Sequence, residues 1–262
     1  MVSTQPQDHR LEPLIAQLTR AGFIAADEEA QQLLAFAGGD GTVLAHAVDR
    51  RLTGEPLAWI TKSTVFCGHR INVARGVYVP RGFSERLAER AVALLPPAGT
   101  AIDLCTGTGA IARTLAAARP EARVVATDLE PAAVACARTN GVDAILGDLF
   151  DGLPRDLEHS VDVVIGVVPY VPSDELGRLQ RDTFAFETPL AYDGGEGGLT
   201  LLRRVTAEAP RFLRPGGALL LEVGGDQDHA LWDDLERNRY RDVIVLVDDD
   251  GDTRGIGATA SG

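Results

Sequence analysis

The segment Asp103-Leu104-Cys105-Thr106-Gly107-Thr108-Gly109-Ala110-Ile111-Ala112 carries the clearest chemistry in the chain. It joins a short apolar run, Thr100–Cys105, to a helical pattern from Gly109 to Ala118. Glycines at a strand-to-helix turn let a ligand approach the backbone closely, and the helix N-terminus behind them offers unpaired N–H donors. Asp128 follows Gly109 by nineteen residues and ends the next apolar run, Arg123–Thr127. A carboxylate there can accept hydrogen bonds from both hydroxyls of a ribose. The same glycines also fit the GxGxx(G/A) dinucleotide fingerprint, so these two features leave the choice of ligand open. A tight turn that needs glycine only for packing is the competing reading, and Asp128 weighs against it.

Two further features extend the site. Gly147-Asp148-Leu149-Phe150 follows a third apolar run, Val142–Leu146, and Asp148 could accept from an adenine amino group; the plain alternative is a loop carboxylate. Val161–Gly166 runs into Val167-Val168-Pro169-Tyr170. A Pro-Tyr at the carboxyl end of a fourth strand faces the ligand crevice of a doubly wound sheet; otherwise it is a turn followed by a core tyrosine.

The elements that must position these residues alternate from Thr100 onward. Strands are predicted at Thr100–Cys105, Arg123–Thr127, Val142–Leu146, Val161–Gly166 and Ala218–Val223. Helices fall between them at Gly109–Ala118, Pro131–Thr139 and Gly198–Leu213. A helix near Asp228–Arg237 and strands near Val243–Val247 and Gly255–Ala258 close the chain. This alternation predicts an α/β, doubly wound, Rossmann-like parallel sheet. Upstream, apolar residues at Leu11, Leu14, Ile15 and Leu18 repeat at helical spacing, and further helices are expected at Ala26–Ala37 and Thr42–Arg51. Trp59-Ile60, Thr64–Phe66 and Arg70–Val73, around Gly68, suggest a hairpin. Ser84 is an N-cap candidate for a helix running to Leu95. The expected organisation is a helical domain over 1–55, a β-hairpin linker over 56–80 and a main domain over 81–262.

The formal net charge of −13 opposes direct binding to nucleic-acid phosphates or anionic lipid. Cys67, Cys105 and Cys136 show no CxxC spacing and no metal-site pattern with His, so neither a disulfide framework nor a bound metal is expected. Met1–Arg10 is polar, unlike a signal peptide, and no run is long enough to span a membrane. A cytoplasmic protein is the expectation.

Several pieces in order carry a family resemblance: Gly54–Ile60, Val79-Pro80-Arg81-Gly82-Phe83-Ser84-Glu85, Asp103–Gly109, Gly147–Phe150, Glu187–Leu199 and Leu213–Gly217. Together they resemble class I S-adenosylmethionine-dependent methyltransferases, specifically the HemK/PrmC-type protein-(glutamine-N5) methyltransferases, over roughly Arg51 to Gln227. The resemblance implies S-adenosylmethionine as cofactor. It implies a cofactor-binding set of Asp103, Thr106, Gly107, Thr108, Gly109, Asp128, Leu129, Asp148 and Leu149. It also implies an acceptor site at Val167, Pro169 and Tyr170, and an N-terminal helical domain that helps recognise a protein substrate. The family carries Asn-Pro-Pro-Tyr after the fourth strand, and its Asn accepts a hydrogen bond from the substrate amide. Here Val167 offers no acceptor, so the expected acceptor is a protein or a small molecule, with amide methylation in question. Glu187 and Asp193 are candidates to take a proton. The competing functions are an NAD(P)-dependent oxidoreductase and a catalytically silent interaction protein. The first lacks a Tyr-x-x-x-Lys pattern, since Lys62 is the only lysine.

Overall fold

The computed structural model describes residues 9–179 and 186–261, so most of the polar stretch Met1–Arg10 lies outside the described residues. They form two compact units. One lies within Met1–Lys62 and includes Phe186; the other comprises Ser63–Leu179 and Glu187–Gly262. The segment 56–80 is thus divided between the two.

The first unit contains α1 (Leu11–Arg20), α2 (Ala26–Ala37), α3 (Gly41–Leu52) and α4 (Leu57–Thr61). Leu14, Leu18, Ala30, Leu33, Val48 and Ile60 form its apolar centre. The Asp40 side chain accepts from the N–H groups of Thr42 and Val43, capping α3. Buried Arg51 forks onto Glu29 at 2.6 and 2.9 Å and lies over the Phe23 ring. Trp59 and Ile60, expected in a strand, belong to α4. A short apolar run has no period of its own, and one helical turn behind Pro56 buries Ala58, Trp59 and Ile60 together.

The second unit opens with the hairpin β1 (Ser63–Phe66) and β2 (His69–Asn72), turning at Cys67 and Gly68 with φ of +46° and +73°. Its centre is a seven-stranded sheet of β3 (Thr100–Leu104), β4 (Arg123–Asp128), β5 (Asp143–Leu146), β6 (Val161–Gly166), β7 (Leu213–Glu222), β8 (Tyr240–Val247) and β9 (Thr253–Ala260). The strand order is β5-β4-β3-β6-β7-β9-β8. The first five are parallel, as expected. The sheet as a whole is mixed, because β9 runs antiparallel between β7 and β8. β8 and β9 are joined by a tight turn at Asp248–Asp252, and a hairpin can only be antiparallel. Around the sheet lie α5 (Glu85–Leu94), α6 (Ala110–Ala118), α7 (Pro131–Thr139), α8 (Thr200–Glu208) and α9 (Gln227–Arg237). This is a doubly wound, Rossmann-like α/β fold with one antiparallel strand.

Two local expectations change. The helix predicted over Gly198–Leu213 is regular only as α8, because Pro210 cannot donate into an α-helical ladder and Ala209–Arg211 tightens to a 3-10 turn. Ser84 does not cap α5 with its side chain: its φ of −73° and ψ of −12° are already helical, following a 3-10 turn at Gly82–Ser84. Chain order reverses between β3 and β6. In such sheets the ligand crevice opens at that reversal, beyond the carboxyl ends of the strands. The two loops that begin there are Cys105–Gly109 and Val167–Tyr170.

Candidate functional site

The Cys105–Gly109 turn is built on unusual backbone. Cys105, Gly107 and Gly109 all have positive φ, at +54°, +56° and +79°. The two glycines serve different ends. A Cβ on Gly107 would meet only the Tyr78 carbonyl oxygen, at 3.8 Å, so this residue faces open space. A Cβ on Gly109 would stand 2.9 Å from Val142 and 3.0 Å from Ala137, so Gly109 instead lets α6 pack against α7. Thr106 N–H donates to the Thr127 carbonyl and Gly109 N–H to the Thr106 carbonyl, closing the turn.

A cleft lies over this turn. Its lining includes Asp103, Thr106, Gly107 and Thr108, with Val167 across from them and Phe66, Tyr78, Pro80 and Ser84 from the segments before α5. Asp103 is fully buried, yet it lies in that lining. Its Oδ2 accepts from the Thr106 hydroxyl at 2.6 Å and from Ala112 N–H at 3.1 Å, whereas Oδ1 has no partner among the described residues. Burial disfavours the charged carboxylate and pushes its pKa up to about 7, against the pull of those two donors.

Asp128 stands at the end of β4. Its Oδ2 accepts from Gly107 N–H at 2.8 Å and its Oδ1 from Glu130 N–H at 2.9 Å. One carboxylate therefore ties the glycine turn to the next loop, with lone pairs to spare. Burial raises its pKa while these backbone donors hold it down. Leu129 beside it is exposed. Asp148 is half-exposed and takes both oxygens to Arg204, at 3.1 and 3.2 Å. Leu149 is buried with a φ of +53°, and its carbonyl accepts from the Thr127 hydroxyl.

The Val167–Tyr170 segment is held by its backbone. The Tyr170 carbonyl accepts from Gln227 Nε2 at 2.7 Å, and Gln227 also bonds the Gly197 carbonyl and Gly224 N–H. Val171 exchanges hydrogen bonds with Tyr192 and Gly194. Glu187 and Asp193 are both committed elsewhere. Glu187 is buried under three donors, Val79 N–H, Arg81 and the Tyr192 hydroxyl. Asp193 accepts from the Ser173 hydroxyl and Gly195 N–H at the surface. Neither lines the cleft. Glu187 instead anchors Tyr78-Val79-Pro80, which does.

Sequence reasoning passed over Phe66, Tyr78, Gln227 and Glu222. For Glu222 a signal existed, because it ends the fifth parallel strand, where side chains face the crevice. Among the described residues no cluster of His, Cys, Asp and Glu could hold a metal.

A methyltransferase-domain family model matches residues 101–185. The chain is 34% identical to the release factor glutamine methyltransferase of Cereibacter sphaeroides, over 95% of this chain and 96% of that protein. It is 38% identical to the 4-amino-L-phenylalanine/4-methylamino-L-phenylalanine methyltransferase of Streptomyces pristinaespiralis, over 83% of this chain and 82% of that one. Among solved structures, the E. cuniculi Mtq2–Trm112 complex, described as responsible for methylation of the eRF1 termination factor, contains a chain with the same fold. The TM-score is 0.53 at 24% identity, covering 71% of this chain and 99% of that one.

Proposed function

Because the chain belongs to the release factor glutamine methyltransferase family, and is thus an S-adenosylmethionine-dependent methyltransferase rather than an oxidoreductase, we propose that its methyl acceptor is an amine nitrogen on an apolar or aromatic molecule. The observation that carries this reading is Val167 in the cleft wall. An amide nitrogen is a poor nucleophile and needs a hydrogen-bond acceptor to orient it. An acceptor of that kind in a dry pocket is worth a few kcal/mol in the transition state, roughly a hundredfold or more in rate. Valine supplies none. An amine needs less help, and Phe66, Tyr78, Ile111 and Val167 offer an apolar, aromatic lining. The similarity to an enzyme named for two arylamine amino acids supports the same reading.

The site fits the cofactor. The unpartnered Oδ1 of Asp103 suits the ammonium of its methionine end, and Gly107 leaves the backbone open beside it. In this proposal Asp128 and Leu129 hold the ribose, Asp148 and Leu149 the adenine, and Thr106, Thr108 and Gly109 shape the turn. Arg204 and an adenine amino group can share Asp148, since a carboxylate has about four lone-pair sites. When bound, the cofactor presents a methyl group on a sulfonium for in-line displacement. The protein supplies proximity and orientation through Pro169, Tyr170 and Val167. Among the described residues no helix is long and apolar enough to cross a membrane and all three cysteines are free; a cytoplasmic location is part of this proposal.

The second reading is glutamine amide methylation, favoured by the similarity to the Cereibacter sphaeroides protein over nearly the whole chain. A main-chain carbonyl near Val168 would then replace the missing acceptor. Labelled S-adenosylmethionine separates the two. Turnover of 4-amino-L-phenylalanine is expected to exceed that of a release-factor-like glutamine peptide, and Val167→Asn is expected to raise peptide turnover. Fast wild-type turnover of the peptide, with no gain from Val167→Asn, would reverse the choice.

Asp103 makes cofactor binding pH-dependent. Its folded pKa lies above its ordinary value, so the folded apoprotein holds a proton that the unfolded chain releases, and apoprotein stability declines as pH rises toward 7. A cation at Oδ1 favours the carboxylate. Cofactor affinity is therefore expected to rise from pH 6 to pH 8, by at most about tenfold per pH unit below 7, with a proton released on binding. Calorimetry in two buffers of different ionisation enthalpy measures that proton, and Asp103→Asn should abolish it. Affinity independent of pH would show that Asp103 does not face the ligand's cation.

A further inference from the structure

Glu222 is a buried carboxylate at the end of a core strand. It is 1% exposed, and among the described residues neither oxygen has a hydrogen-bond partner of normal geometry. An unpaired buried carboxylate is costly, and native structures keep few of them without a use. It closes β7, and since Gly166 pairs with Leu221, Glu222 stands at the level of Val167 on the neighbouring strand. Three groups that face it belong to the site. Ser84, which lines the cleft, and the Tyr170 phenol of the acceptor segment each favour its charged form, and Tyr78, also in the lining, feels its charge. Arg254 on β9, a cation that acts on it, directs its Nε to Asp248 at 2.7 Å and its Nη2 to Asp252 at 3.3 Å. Among the described residues Glu222 thus has hydroxyls near it but no dedicated counter-ion.

We propose that Glu222 is the proton sink of the acceptor site, receiving through the Ser84 hydroxyl the proton that the methylated nitrogen must lose, with Tyr170 orienting the carboxylate. This rests on the reading of the acceptor as an amine. As the nitrogen–carbon bond forms, the carbon–sulfur bond breaks and its electron pair remains on sulfur as a neutral thioether. The positive charge passes to nitrogen, which gives one proton to the Ser84 oxygen while Ser84 gives its own to Glu222. Glu222 then returns a proton to water. Burial already places its pKa at about 7, matched to moving a proton near neutrality. Glu222 is a positioning residue acting through Ser84.

The test uses the full-length enzyme with S-adenosylmethionine and 4-amino-L-phenylalanine. Wild-type kcat is expected to rise with pH and level off above about 7. Glu222→Gln should lower kcat by about a hundredfold, as loss of a positioned acid or base does, and should remove the rising limb while leaving the KM for S-adenosylmethionine within twofold. Ser84→Ala, which leaves the carboxylate in place, should show the same loss. A Glu222→Gln variant within twofold of wild type with the limb intact would overturn the proposal. An acceptor-free readout stands beside this. Infrared difference spectra of wild type minus Glu222→Gln should contain a carboxylic acid band that disappears as pH passes neutrality, and its absence would also overturn the proposal. If only the glutamine peptide is turned over, the amine reading fails. The pH profile taken on the peptide, with the infrared titration, then still decides for or against Glu222.

Discussion

Gly198→Ala is expected to abolish methyl transfer. Gly198 has a φ of +71°, and a Cβ there would stand 1.9 Å from the Tyr170 carbonyl oxygen and 2.4 Å from Gln227 Nε2. Both atoms belong to the bond that pins the acceptor segment, Gln227 to Tyr170 at 2.7 Å. The methyl group cannot fit without separating them. The left-handed backbone costs an alanine about 1–2 kcal/mol, overpacking about 1–3 kcal/mol, and a stranded buried carbonyl about 1–3 kcal/mol. A fall in melting temperature on the order of 10 °C follows for a protein of this size. Function should suffer more than stability, because a displacement of about 1 Å at a reacting centre can cost a hundredfold in rate. Thermal melts and single-turnover kinetics measure the two effects. Gly177→Ala is the control, since a Cβ there meets nothing within 4 Å. Near-normal turnover in Gly198→Ala would mean that the Val167–Tyr170 segment does not position the acceptor.

Asp128→Ala is expected to weaken S-adenosylmethionine binding by at least tenfold. A hydrogen bond to a charged group contributes about 1.5–3 kcal/mol, and a ribose hydroxyl on Asp128 would be of that kind. The change also removes the acceptor for Gly107 N–H and Glu130 N–H, 2.8 and 2.9 Å away, so the turn beneath the ligand loosens as well. Asp128→Asn separates the two contributions. Its side-chain oxygen can still accept from one N–H, so it should retain more of the turn while losing the charge. Isothermal calorimetry gives the affinities, and hydrogen exchange at Gly107 reports the turn. Wild-type affinity in Asp128→Ala would remove Asp128 from the binding site.

Local chemistry was legible because local rules govern it. The apolar runs of β3, β4, β5 and β6, the glycine turn at Gly107 and Gly109, Pro131 at the start of α7, and the carboxylates at the strand ends are each set by neighbours a few residues away in the chain. Short segments were less legible. Trp59 and Ile60 have too few neighbours to show a period, and one helical turn buried them where a strand was expected. The antiparallel entry of β9 next to β7 depends on which sheet edge remains free, which no single segment encodes.

The sequence by itself determined the fold class, the cofactor turn and the replacement of an amide-gripping asparagine by Val167. The fold class and the turn follow from residue type, spacing and strand–helix alternation, and the missing asparagine from the resemblance to the methyltransferase family. Only the tertiary structure decided which carboxylates are free to act. Glu187, proposed from sequence as a proton acceptor, is buried beneath Val79, Arg81 and Tyr192, whereas Glu222, unremarkable in its strand, has no hydrogen-bond partner of normal geometry among the described residues. Whether a carboxylate is neutralised depends on donors brought from more than a hundred residues away, as Arg81 is to Glu187. The role of Gly109 was settled in the same way, by the approach of Ala137 and Val142. Hydrogen bonding and close packing act through space over a few ångströms, and chain distance does not report that separation.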